Sequence, residues 1–184
     1  MGIQLQDRRT VSDWISFGQV IEFSEKIESF SGLAEIVRAD LEALDAAKLP
    51  ADWRNDRVTG ELHFGYADAE NRLPSVIGSA RAELYAVCQR CLRPFRIRLN
   101  VEPKLLLMGQ DDLLDEYQDY EVWELEEQLL QPLEIVEELL IMALPFSAKH
   151  DNMKDCKAFA SDDVGSDKVI RPFAALRAQM QQDE

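Results

Sequence analysis

The chain has 184 residues, 46% of them hydrophobic, enough for one domain with a substantial core spanning 1–184. Its formal net charge is −15 and its pI about 4.5, so the molecule as a whole repels a phosphate backbone and better suits a basic protein partner; the same charge also serves solubility. Three cysteines are too few for a disulfide framework and point to a reducing, cytoplasmic setting. The first ten residues lack the apolar stretch of a secretory signal, and Gln6 stands where a myristoylation motif wants Ser or Thr. No window approaches ~18 uninterrupted apolar residues, so no membrane span is expected.

Ile15, Phe17, Ile21 and Phe23 share one parity and predict a strand interrupted at Gly18. After Ser31-Gly32, Leu33, Ile36, Val37, Leu41 and Leu44 recur at three- and four-residue steps, which predicts a helix ending before Pro50. Trp53, in the loop that follows, is expected to pack back on the core. Val58, Leu62, Phe64 and Tyr66 alternate with polar residues, and the run Leu73–Val87 alternates in the same way after a polar turn. These are the two arms of a long antiparallel hairpin. Phe95, Ile97, Leu99 and Val101 then predict a third strand, continuing through Leu105–Leu107.

Beyond it the charge reverses, with no Lys or Arg between Leu105 and Ala148. Residues 109–119 read as an acidic loop, and Tyr120, Val122 and Trp123 as a short strand. Pro132 suits the first turn of a helix that runs through Leu144 and stops at Pro145. Apolar residues cover most of its circumference, so it is expected to be the central helix, with Glu134, Glu137 and Glu138 on its solvent edge. Residues 157–169 read as a second polar loop. Phe173, Leu176 and Met180 form the stripe of a short closing helix. The fold class is α+β: an antiparallel sheet of long strands on a buried helix, with further helices toward each end.

The chemistry concentrates at Cys88-Gln-Arg-Cys-Leu-Arg-Pro-Phe95, the turn between the second and third long strands. Cys88 and Cys91 at C-x2-C spacing, with His150 and Cys156 downstream, make a complete donor set for one tetrahedral zinc ion. Four protein ligands leave no open position, so such an ion would be structural. A thiol oxidoreductase or redox sensor using Cys88 and Cys91 is the alternative, although that chemistry usually places its cysteines at a helix start within a βαβ unit. A zinc-stabilised protein-interaction module is a third reading. Arg90, Arg93, Arg96 and Arg98 lie on or beside this turn and are candidate RNA contacts, or partners for the chain's own acids. Asp111, Asp112, Asp115 and Glu116, with the three helix glutamates, are candidate contacts for a basic partner. No glycine-rich phosphate loop, G-x-S-x-G elbow or H-E-x-x-H is present, and no small-molecule substrate is expected.

The order of these features resembles the bacterial YceD-like family of large ribosomal RNA subunit accumulation proteins. The resemblance rests on the C-x2-C segment after a long hairpin, on the acidic helix Leu133–Leu144 ending in Ala-Leu-Pro, and on the His-to-Cys segment. A closing Pro-Phe-Ala-x-Leu at Pro172–Leu176 completes it. It implies a cytoplasmic, non-enzymatic factor in the synthesis, processing or stability of 23S ribosomal RNA; with that role, the acidic charge points to a basic ribosomal protein or a precursor particle as partner. It brings no catalytic residues.

Overall fold

The structure, a computed structural model, describes residues 4–16, 18, 20–44, 49–108, 119–125 and 129–156. In chain order its elements are β1 (Arg9–Thr10), α1 (Val11–Ser16), β2 (Ile21–Lys26), α2 (Ser31–Glu42), β3 (Arg57–Tyr66) and β4 (Pro74–Val87). They continue as β5 (Pro94–Val101), β6 (Lys104–Met108), β7 (Glu121–Glu124), β8 (Leu129–Leu130) and α3 (Pro132–Met142). The fold is α+β, with a six-stranded mixed sheet and a separate two-stranded β1–β8 pair.

Strand β4 is the spine. Its first half pairs with β3 on one side, from Val58↔Ala82 to Tyr66↔Pro74. On its other side β5 covers the second half, from Ala80↔Val101 to Val87↔Pro94, and β6 covers the first half through Ser75, Val76 and Ile77. Period-two alternation sends Val76, Ala80, Ala82 and Leu84 to one face, where all are buried. That face receives the apolar stripes of α2 (Leu33, Val37, Leu41) and α3 (Ile135, Val136, Leu140) in one core cluster. Each fully buried Leu or Ile stabilises the fold by roughly 1.5–3 kcal/mol, less the entropy of ordering it. The β1–β8 pair is tied to the sheet by Trp14, which stacks on Phe64 with ring centroids 5.5 Å apart and donates its indole N–H to the Leu130 carbonyl at 3.0 Å.

Several local expectations change. Ile15 lies in α1, not in a strand with Ile21; Thr10 Oγ1 accepts the Asp13 N–H and opens that helix turn, a capping signal that outweighs parity. The third long strand is two strands, because β5 ends at Val101 and the chain turns at Glu102-Pro103 before β6 takes the other half of β4's edge. The sheet is not wholly antiparallel: β6 and β7 pair in parallel, Leu105↔Glu121 to Met108↔Glu124. The long connection between them allows β7 to run the same way as β6, which a tight hairpin would forbid. Trp53 is buried, as its position beside the core strands required. Glu134 and Glu138 are exposed, but Glu137 reaches across to α2, where its Oε1 accepts the Gly32 and Leu33 N–H groups. The loop 157–169, most of the loop 109–119 and the closing helix fall outside the described residues.

Candidate metal centre

The turn after β4 is built by its backbone. The Cys88 N–H donates to the Arg93 carbonyl at 3.0 Å, and the Leu92 N–H to the Cys88 carbonyl at 2.8 Å. Closing so tightly places Leu92 at φ 52°, in the left-handed region, and Cys88 and Cys91 then face the same side. The segment after α3 is stitched to this turn: the Gln89 N–H donates to the Ala148 carbonyl at 2.9 Å, and Arg90 donates to the His150 carbonyl. Phe95 packs on the His150 ring with centroids 4.5 Å apart and fixes its orientation. A short 3₁₀ turn, Met153–Asp155, is capped by the Asn152 side chain accepting the Lys154 N–H, and it returns the chain to deliver Cys156. That turn explains how a His-x5-Cys spacing closes on one point.

The three Sγ atoms and the His150 nitrogen all lie within 4.8 Å of one another. Cys88 and Cys156 sulfurs are 3.9 Å apart, and His150 Nδ1 lies 3.6 Å from Cys91 Sγ and 3.4 Å from Cys156 Sγ. Zinc bonds of ~2.3 Å to sulfur and ~2.0 Å to nitrogen, set at tetrahedral angles, would put sulfurs ~3.8 Å apart and sulfur to nitrogen ~3.6 Å. The donor set fits zinc in type, and these three separations match a tetrahedron, while the other three lie within 4.8 Å. All three cysteines are free thiols, and the separations are far from the ~2.0 Å of a disulfide.

The electrostatics also favour a cation. Burial pushes the Cys88 thiol up, but the N–H groups of His150, Cys91 and Arg90 and the His150 ring outweigh it, lowering its pKa to about 5. Burial and hydrogen bonds with Cys88 and Cys91 raise Cys156 to about 11, against the opposing charge of Arg90. One thiol thus ionises readily while another resists in the absence of a cation, the pattern of several sulfurs sharing one small space. Cys88 is 0% and Cys91 8% exposed, which suits ligation better than exchange with a disulfide substrate.

Among the candidate RNA contacts, Arg90 turns inward to His150 and supports the cluster. Arg93 is exposed. Arg96 donates to Asp56 at 2.7 Å and to Glu83 at 3.4 Å, with its guanidinium 4.4 Å from the Tyr85 ring centre. Arg98 stands out from the sheet with its side chain 82% exposed, its Nε 3.5 Å from Glu83. Asp111, Asp112, Asp115 and Glu116 lie outside the described residues. Sequence reasoning missed the supporting roles of Arg90, Phe95 and Glu137. Only Arg90 carried a signal, its place between the two cysteines.

No curated protein and no solved structure shows a significant match to the chain. The family described as large ribosomal RNA subunit accumulation protein YceD matches residues 76–178. That match begins in β4 and takes in the C-x2-C turn, α3, His150 and Cys156. With more than half its length matched, and both halves of the Cys–His cluster inside the match, the chain belongs to the YceD family of large ribosomal RNA subunit accumulation proteins.

Proposed function

We propose that the chain is a non-enzymatic, cytoplasmic factor that promotes the synthesis, processing or stability of 23S ribosomal RNA. The observation that carries this reading is the family match over residues 76–178. Among the described residues, no helix is long and apolar enough to cross a membrane. Cells lacking the chain should accumulate less mature 23S RNA relative to 16S, and the tagged chain should sediment with large-subunit precursors. Unchanged 23S levels together with sedimentation only at the top of the gradient would overturn the reading.

Within that role, Cys88, Cys91, His150 and Cys156 hold one structural zinc ion that pins residues 148–156 to the β4–β5 turn. The donor types and the three separations of 3.4, 3.6 and 3.9 Å support this. Native mass spectrometry of protein purified without chelator should find one zinc per chain, lost in both Cys88→Ser and Cys156→Ser. Metal-free wild-type protein would sink the four-ligand site.

The acidic residues form the other half of the proposal. Asp111, Asp112, Asp115 and Glu116, with exposed Glu134 and Glu138, would attract a basic ribosomal protein, while exposed Arg93 and Arg98 approach RNA. Glu137, committed to α2, contributes less to such a surface. Replacing the four loop acids by Asn and Gln should weaken co-purification of basic ribosomal proteins; unaltered recovery would remove the acidic span from the partner surface.

A further inference from the structure

We infer that the face of the sheet opposite the helices, centred on Arg81, is a docking surface for the backbone of single-stranded RNA. The inference rests on the ribosomal reading above and names the surface that would touch the RNA. Strand register carries it. Ser24, Thr59, Arg81 and Asn100 stand in one row across β2, β3, β4 and β5. With strands ~4.8 Å apart, that row is about 14 Å long. On one side of it Lys26 stands opposite Arg57 and Glu83 opposite Arg98; beyond that Tyr85 stands opposite Arg96.

This part of the face holds five cations, Lys26, Arg57, Arg81, Arg96 and Arg98, against one exposed acid, Glu83. On a chain of net charge −15 it is a local reversal of sign. Its surface is concave. A hollow of about 270 Å³ lies between Arg57, Thr59, Arg81, Arg98 and Asn100, whereas the adjoining hollow of about 480 Å³ is also lined by the exposed acids Glu22 and Glu61 and lies outside the proposed surface.

The chemistry fits a phosphodiester chain. Arginine forks match phosphate oxygens two at a time, and the hydroxyls and amide of Ser24, Thr59 and Asn100 can serve phosphate or ribose. Arg57 is held in place by donating to the Ser24 carbonyl at 2.7 Å and to its Oγ at 2.8 Å. The helices pack on the other face, and Arg57, Thr59, Arg81, Arg98 and Asn100 are exposed.

The test uses the full chain and a labelled single-stranded RNA of about 20 nucleotides, longer than a ~16-nucleotide footprint. Fluorescence anisotropy is read across a salt series. The double variant Arg57→Glu, Arg81→Glu should lose at least roughly tenfold in affinity, and Arg81→Gln should reduce the salt slope by ~0.7, one phosphate contact. Arg38→Glu, on the helix side, makes one such charge reversal away from the face and should bind as wild type; circular dichroism establishes that each variant is folded. Wild-type affinity in the folded double variant, or no RNA binding by the wild type, overturns the inference. Displacement of RNA by polyglutamate as readily as by unlabelled RNA overturns it too, by making the face a general anion surface. In cells lacking the chain, restoration of 23S RNA by both the wild type and the double variant would sink this face and leave the ribosomal reading standing. Failure of the wild type to restore 23S RNA would sink that reading, and the binding measurement would still decide the face.

Discussion

Asp56 is 8% exposed, and its Oδ2 is buried without a hydrogen-bond partner, while Oδ1 accepts from Arg96. Burial pushes its carboxyl above the ordinary range, against the pull of Arg96 and with smaller upward pushes from Asp52 and Glu83. The folded state therefore favours the protonated acid. The stability this contributes is full below the unfolded carboxyl value of ~4 and is lost as pH rises through the higher folded value. Arg96→Ala removes the cation that pairs with this buried group among the described residues and should raise the folded value further. The expected loss is ~3 kcal/mol at pH 7, where the carboxylate is left unpaired. It should be markedly smaller at pH 4, where the acid can take up a proton. Urea unfolding at the two pH values measures both, and equal losses would show that Asp56 is not the cause. Arg96 is thus first a structural residue, whichever ligand the sheet face meets.

At the scale of elements, α2 begins without a side-chain cap of its own, since Phe30 stands at its N-cap. The missing acceptor comes from α3, as Glu137 Oε1 accepts two of the first free N–H groups. Glu137→Ala should cost about 1–2 kcal/mol, as loss of an N-cap does, and Glu137→Gln appreciably less; identical melting curves for wild type and Glu137→Ala would remove the cap. The β4–β5 turn carries the opposite kind of feature, with Leu92 at φ 52° and 62% exposed. Leu92→Gly should stabilise the metal-loaded protein by roughly 0.5–1 kcal/mol in chemical denaturation, because glycine takes that backbone without strain and little apolar burial is lost. A destabilised glycine variant would mean that the leucine packs in solution. The helices and the long hairpin were legible because periods of 3.6 and 2 are written into Leu33–Leu41 and Val58–Val87. The capping role of Glu137 was not, because it depends on how two distant helices meet. The break between β5 and β6 hangs on Glu102-Pro103, and the parallel β6–β7 pair on a partner choice that alternation does not encode.

For the whole molecule, the Cys–His cluster joins two regions that the main core does not join. The core of β3, β4, α2 and α3 is continuous without it, whereas residues 148–156 meet the β4–β5 turn chiefly through Gln89, Arg90 and the four donors. The donor types were legible in the sequence; their convergence depended on the 3₁₀ turn that shortens the path from His150 to Cys156. The same segment, with Lys149 and Asp151, lines a cleft of about 680 Å³ together with Arg96 and Arg98 of β5. Removing the proposed zinc ion should therefore loosen one side of the molecule and leave the rest folded, unlike a small zinc finger, which unfolds outright. A chelator should lower the melting temperature by roughly 5–10 °C, the shift expected for a few kcal/mol in a protein of this size. Hydrogen exchange supplies the spatial check. The amides of Gln89, Leu92 and Cys156, bonded to Ala148, Cys88 and Met153, should lose protection on chelation, while those of β3 and the first half of β4 keep it. Loss of protection throughout the sheet would make the cluster part of the folding core. Unchanged protection at all three amides would mean that the turn and the segment hold together without an ion.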